Sequence, residues 1–194
     1  MDNTQLTILK RLRLFFSSII SILIFGLLLW NYFHGGVPSH HILDQKDLPA
    51  ISNWWSGILL PILTWILLGR IITRIEKKGI KNNEYRQRII NILWLFSIGL
   101  IFGILLSVSF VHNYKPFLDN VLYVFLILSF IVPIFFSEFI LGFVLGMTYT
   151  FGAILPTAFI LIMAAIGIVI YKSIRLFINN TKIFGDKRSK NDKQ

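Results

Sequence analysis

Between positions 121 and 171 the chain runs 51 residues with one carboxylate, Glu138, and no Lys, Arg or Asp. A water-soluble domain cannot leave so long a stretch uncharged, because its solvent face needs polar cover. The rest of the chain repeats the pattern on a shorter scale, with charges gathered in a few blocks and apolar runs between them. Charged residues make up 14% of the 194 positions, against about 25% in an ordinary soluble domain, and the mean hydropathy is +0.71. A soluble enzyme and a disordered tail are both excluded. What remains is an all-α polytopic integral membrane helical bundle.

The absence of Cys removes disulfides, thiolate metal ligands, a Cys nucleophile and palmitoyl or lipoprotein anchors. The net charge of +10 does not point to nucleic acid, because the basic residues flank apolar runs and no polar domain is left to hold RNA or DNA. Their placement matches the retention of Lys and Arg on the cytoplasmic side of a membrane. The expected location is a cell membrane, of bacterial inner-membrane type, with the lipid bilayer as the surrounding partner.

Lys10, Arg11 and Arg13 precede an apolar run over 14–33 that closes on Trp30, Tyr32 and Phe33. The run is too long for a signal peptide and lacks a small-residue cleavage site, so it reads as a first span with an aromatic belt. The polar stretch 34–53 carries Asp44, Lys46 and Asp47, a net of −1. A second span over 54–72 contains Pro61, which membrane helices tolerate. The segment RIITRIEKKG can extend that helix beyond the membrane as far as Gly79. Positions 70–88 hold seven Lys and Arg against two Glu, a net of +5, and a third span follows over 89–111. A short turn, 112–119, leads into the long apolar stretch. The tail 172–194 again carries seven Lys and Arg against two Asp, a net of +5.

Equal basic blocks at 70–88 and in the tail require an odd number of crossings between 119 and 172. Three fit the punctuation: 121–136, a short or broken element over 139–151, and 153–171. The expectation is one transmembrane domain over 1–180 with about six membrane elements, both termini cytoplasmic, and a basic tail over 181–194 that loses helical structure after about Asn180. A five-span chain with the C-terminus outside is the alternative. It needs one long tilted helix over about 120–146, and it breaks the charge rule.

Glu138 is the chemical puzzle, since a carboxylate at membrane depth costs about 2.5–3.5 kcal/mol on insertion scales. In the six-element arrangement it falls at a wet cytoplasmic turn. In the five-span one it is buried, as a proton or cation site or the partner of a basic group. The segment after it carries Gly142, Gly146, Gly152 and Pro156, with hydroxyls at Thr148, Tyr149, Thr150 and Thr157. Interrupted membrane segments of this kind line cavities. Glu138, Thr148, Tyr149 and Thr150 are therefore the candidate polar site. Close packing offers the other reading: Gly142/Gly146 and Gly99/Gly103 are each small-x-x-x-small pairs that admit a neighbouring helix, from this chain, a second copy or another membrane protein.

All four histidines, His34, His40, His41 and His112, fall on the expected external face with Asp44 and Asp47 nearby. Imidazole and carboxylate together suit a divalent metal. A helix over 39–46 with Ser39 as its cap would align His40 with Asp44, although adjacent histidines diverge by about 100° on a helix. No HExxH-type spacing is present, so backbone-bonded interfacial histidines are the competing reading, and no other cofactor is indicated. Asp47 can cap a helix beginning at Leu48 and Pro49. Three functions follow. The first is a small transporter or channel-like protein using Glu138 and the 142–157 segment. The second is a non-catalytic assembly or sensor subunit. The third is a membrane enzyme acting on lipid through the external histidines. The balance leans away from an enzyme.

Overall fold

The computed structural model describes the backbone of residues 3–41, 47, 49–77 and 82–191, and side chains within 7–41, 47, 49–77, 85–171 and 173. The chain is built from α1 (Asn3–Phe33), β1 (Ser39–His41), β2 (Ala50–Ser52), a 3-10 turn (Asn53–Trp55), α2 (Ser56–Lys77), α3 (Asn82–Val111), α4 (Lys115–Leu118), α5 (Val121–Ile131), α6 (Ser137–Phe151) and α7 (Ile154–Asn191). Four helical segments are long and apolar enough to cross a membrane: Thr7–Phe33, Asn53–Lys77, Tyr85–Val111 and Ile154–Tyr171. α5 and α6 are shorter apolar helices.

α6 is the centre of the bundle. Phe139, Phe143 and Val144 are fully buried, and Glu138, Gly142, Met147 and Thr148 are buried beside them. Its position follows from glycine. A Cβ at Gly99 or Gly103 of α3 would meet the carbonyl oxygen of Phe139 or Phe143. One at Gly142 or Gly146 of α6 would meet that of Phe96 or Leu100. The two pairs therefore interlock, backbone on backbone, and the matching residue numbers rise together, so α3 and α6 run parallel. The faces expected to receive another helix receive each other within this chain.

α2 lies antiparallel to α6. Arg74, near the end of α2, meets Glu138 at the start of α6. At the opposite end the Ser56 hydroxyl accepts the Ala153 N–H at 2.8 Å, just past the end of α6. α1 and α2 form an antiparallel pair, with Arg13 beside Gly69 and Leu28 beside Gly57.

The breaks have local causes. Pro133 disfavours a helical residue before it, and Val132 is extended at φ −117°, ψ 132°. α5 thus stops at Ile131, so the run expected over 121–136 is shorter, while Ser137 and Glu138, expected as a polar break, form the first turn of α6. Gly152 ends α6 at φ 69°, ψ −169°, where a side chain would also strike Asn53 and Ser56.

Three other expectations change. Ser39–His41 is a strand paired antiparallel with Ala50–Ser52, not the start of a helix. Ser52, not Asp47, caps the turn leading into α2, its hydroxyl accepting from the Trp54 N–H. α7 continues as helix to Asn191, past the point where the tail was expected to lose structure. α2 does continue beyond the apolar run, to Lys77; Gly79 lies outside the described residues.

Candidate functional site

Glu138 stands in the first turn of α6, where the helix dipole favours an anion. It is not wet: it is 2% exposed, and Arg74 Nη2 donates to its Oε1 at 2.6 Å. The solvated turn expected from the six-element arrangement is thus corrected. The residue is at the α5–α6 connection, but the bundle closes over it. The Arg74 guanidinium is itself held 4.4 Å over the Phe136 ring, a cation–π contact that fixes its approach. Arg74 remains 34% exposed, so the pair is buried on its acidic side and open on its basic side.

The second carboxylate oxygen, Oε2, is buried without a hydrogen-bond partner. A carboxylate has acceptor sites to spare, and buried ones are normally filled. The pair borders a hollow of about 460 Å³ whose wall includes Arg88, Asn91, Trp94 and Pro133. Two guanidinium groups and one carboxylate therefore share one partly enclosed space among aromatic side chains.

A second hollow, about 490 Å³, lies at the other end of α6. Met147, Phe151 and Phe159 form much of its apolar wall, and His40 and His41 of β1 border it. Phe143, midway along α6, separates the two ends. It belongs to a cluster in which Phe125 meets Phe102, Phe143 and Phe159 with ring centroids 4.7, 5.5 and 5.1 Å apart. Phe125 and Phe143 are closed to solvent, so this part of the bundle is solid aromatic core.

The other polar candidates do not gather around Glu138. Thr148 is ten residues further on, about 15 Å along a helix, and its hydroxyl donates to the Val144 carbonyl at 2.6 Å. Tyr149 is 77% exposed on the outer side of α6, and the Thr150 hydroxyl meets that of Ser107 on α3. Thr157 donates back to the Ala153 carbonyl. Three of these hydroxyls satisfy local or interhelical bonds, and none reaches the carboxylate.

Of the histidines, His40 and His41 share the outer hollow, while His34 and His112 do not border it. His34 stacks on Trp30 at 3.9 Å, with its Nδ1 on the Trp30 carbonyl at 2.9 Å. His40 lies against Phe151, and His112 is exposed just beyond α3. Among the described residues no three His, Asp or Glu side chains come together in a metal-binding group; Asp44 lies outside those residues.

Arg74 is the partner of Glu138 that sequence reasoning missed, because its basic block read as loop charge. The available signal was that α2 extends through it and that a carboxylate inside an apolar stretch needs a cation. Compared with protein-family models, curated proteins and solved structures, the chain matches none.

Proposed function

We propose that the chain is a multi-pass membrane protein of six crossings with both termini cytoplasmic, acting as a small proton-linked transporter. The observation that carries this reading is the Arg74–Glu138 pair, whose unpartnered Oε2 is buried beside the hollow of about 460 Å³. The antiparallel lie of α2 and α6 supports the crossing count, since it sends α6 back across the bundle before α7 begins. A carboxylate in an otherwise apolar segment, buried and paired with a cation, is the kind of group that marks proton and ion pathways.

The chemistry is an exchange at one guanidinium. While Glu138 is ionised it occupies Arg74. A proton taken up on the carboxylate, with Oε2 as the open position, neutralises Glu138 and weakens its hold. Arg74 then becomes available to a small anion in the hollow. Loss of the proton restores the pair and expels the anion. In this reading the buried phenylalanine cluster is the barrier between this end and the outer hollow, as alternating access requires. A bacterial inner-membrane location belongs to the same proposal and rests on the placement of the basic blocks.

The test is proton movement in vesicles. Protein reconstituted with an internal pH-sensitive dye should acidify the lumen when an inward gradient of a small anion, chloride or phosphate, is imposed, because proton and anion enter together. Glu138→Gln should bring the rate down to that of protein-free vesicles. Equal rates for wild type and Glu138→Gln, or no flux above empty vesicles, would remove the transport reading. The lipid-enzyme alternative takes its support from His40 and His41 at the outer hollow, and its signature would be loss of lipid turnover on His40→Ala.

A further inference from the structure

The seam between α1 and α2 carries two hollows in sequence. The first, about 680 Å³, is lined by Arg13, Arg70, Arg74 and Lys77 together with Ile66 and Gly69. Among the described residues its wall includes no carboxylate. Arg74 is matched by Glu138, but Arg13, Arg70 and Lys77 have no acidic partner among those residues. Like charges drawn into one concave space repel one another and raise the local concentration of anions.

Arg13 is built into this hollow and does not wave in solvent. Its Nε donates to the Trp65 carbonyl at 3.0 Å, and its guanidinium lies 3.8 Å over the Trp65 ring. Gly69 makes the position possible, because a Cβ there would meet the guanidinium.

The second hollow, about 480 Å³, is bordered by Ser17, Ser21, Pro61, Ile62 and Trp65. Ser17 is one turn beyond Arg13 and Ile62 one turn before Ile66, a step of about 5.4 Å on each helix. It therefore lies deeper in the bilayer. Ile62 and Trp65 are 52% and 42% exposed, so this part of the wall is apolar and open to the outside of the bundle. The Ser17 hydroxyl, in a residue only 8% exposed, is buried without a partner.

From this stacking of charge over apolar surface we propose a specific site for one anionic phospholipid on the α1–α2 seam. Its phosphate sits among Arg13, Arg70 and Lys77, its glycerol ester beside the Ser17 hydroxyl, and an acyl chain along Ile62 and Trp65. Basic pockets between helices at a membrane face bind anionic headgroups. The apolar hollow one turn deeper selects a lipid over a free anion. The hollow shares Arg74 with the transport reading, but the two are tested apart, because Arg70 and Lys77 do not border the hollow beside Glu138.

Thermal unfolding of the purified full chain in detergent tests the proposal. Phosphatidylglycerol should raise the midpoint, while phosphatidylcholine and inorganic phosphate at equal concentration should not. In Arg70→Gln/Lys77→Gln, which alters two exposed cations, the concentration of phosphatidylglycerol needed should rise roughly 10- to 30-fold. An equal response to phosphatidylcholine, the same shift from inorganic phosphate alone, or an unchanged response of the double variant would each overturn it. Should the variant fail to fold, the wild type decides. Extracted from vesicles of equal phosphatidylglycerol and phosphatidylcholine, it should retain one phosphatidylglycerol per chain in native mass spectra. Retention of both lipids equally, or of neither, would overturn the site.

Discussion

At Glu138 and Arg74 the two partners are unequally placed. Glu138 has almost no contact with solvent, whereas about a third of the Arg74 side chain is exposed. Removing one member of a buried pair costs about 3–5 kcal/mol when the charge left behind cannot rehydrate. Arg74→Gln strands the buried carboxylate and should lose stability in that range. Glu138→Gln leaves an arginine that can turn to water or lipid phosphate and should lose only about 1 kcal/mol, the scale of an ordinary hydrogen bond. The double variant should be more stable than Arg74→Gln alone, because no charge is then left buried. Unfolding of all three in one detergent completes a double-mutant cycle. Equal single losses that simply add would show that the two residues do not act as a pair.

The interlock of α3 with α6 depends on the absence of four side chains. In a free helix Gly→Ala gains about 0.5–1 kcal/mol through backbone entropy. At Gly142 the added methyl would fall on the Phe96 carbonyl and the Leu100 N–H, which cannot move aside as a side chain can. Gly142→Ala should therefore destabilise the protein by about 1–3 kcal/mol, as overpacked cores do. Gly26 of α1 has nothing within 4 Å of such a Cβ, and Gly26→Ala should be neutral or stabilising. Comparable midpoints for the two variants would refute the packing argument. The sequence made these elements legible unevenly. Gly152 and the glycine pairs announced a break and a close approach, because only glycine serves there. Pro133 stopped α5 at Ile131, yet hydrophobicity alone ran on unchanged to Phe136. The strand pair at Ser39–His41 left no periodic signal, being three residues long. Arg74 stayed hidden because helix length, not local charge, carries it to the start of α6. The long apolar helices themselves were plain from charge spacing.

At the scale of the whole molecule, the contacts of α2 order the other helices. Its beginning touches the start of α7 through Ser56 and Ala153, and its end touches the start of α6 through Arg74 and Glu138. α6 therefore returns toward the end from which α2 set out, and α7 leaves that end again. With the basic blocks at 70–88 and 172–194 held on one side, the arrangement proposed here places Gln194 on the same side as Arg74. A reporter fused after Gln194 should be active only in its cytoplasmic form, and one inserted at Asn113 only in its external form. The two sites differ in what they cross: between them lie α5, α6 and the apolar part of α7. External activity after Gln194 would mean that α5 and α6 together make a single passage. The Arg74–Glu138 contact could not survive such a passage, since Glu138 would then lie in mid-membrane, away from the end of α2. Reporter activity and the double-mutant cycle thus constrain each other: a cytoplasmic C-terminus with a coupled pair is the combination that the proposed six-crossing topology predicts.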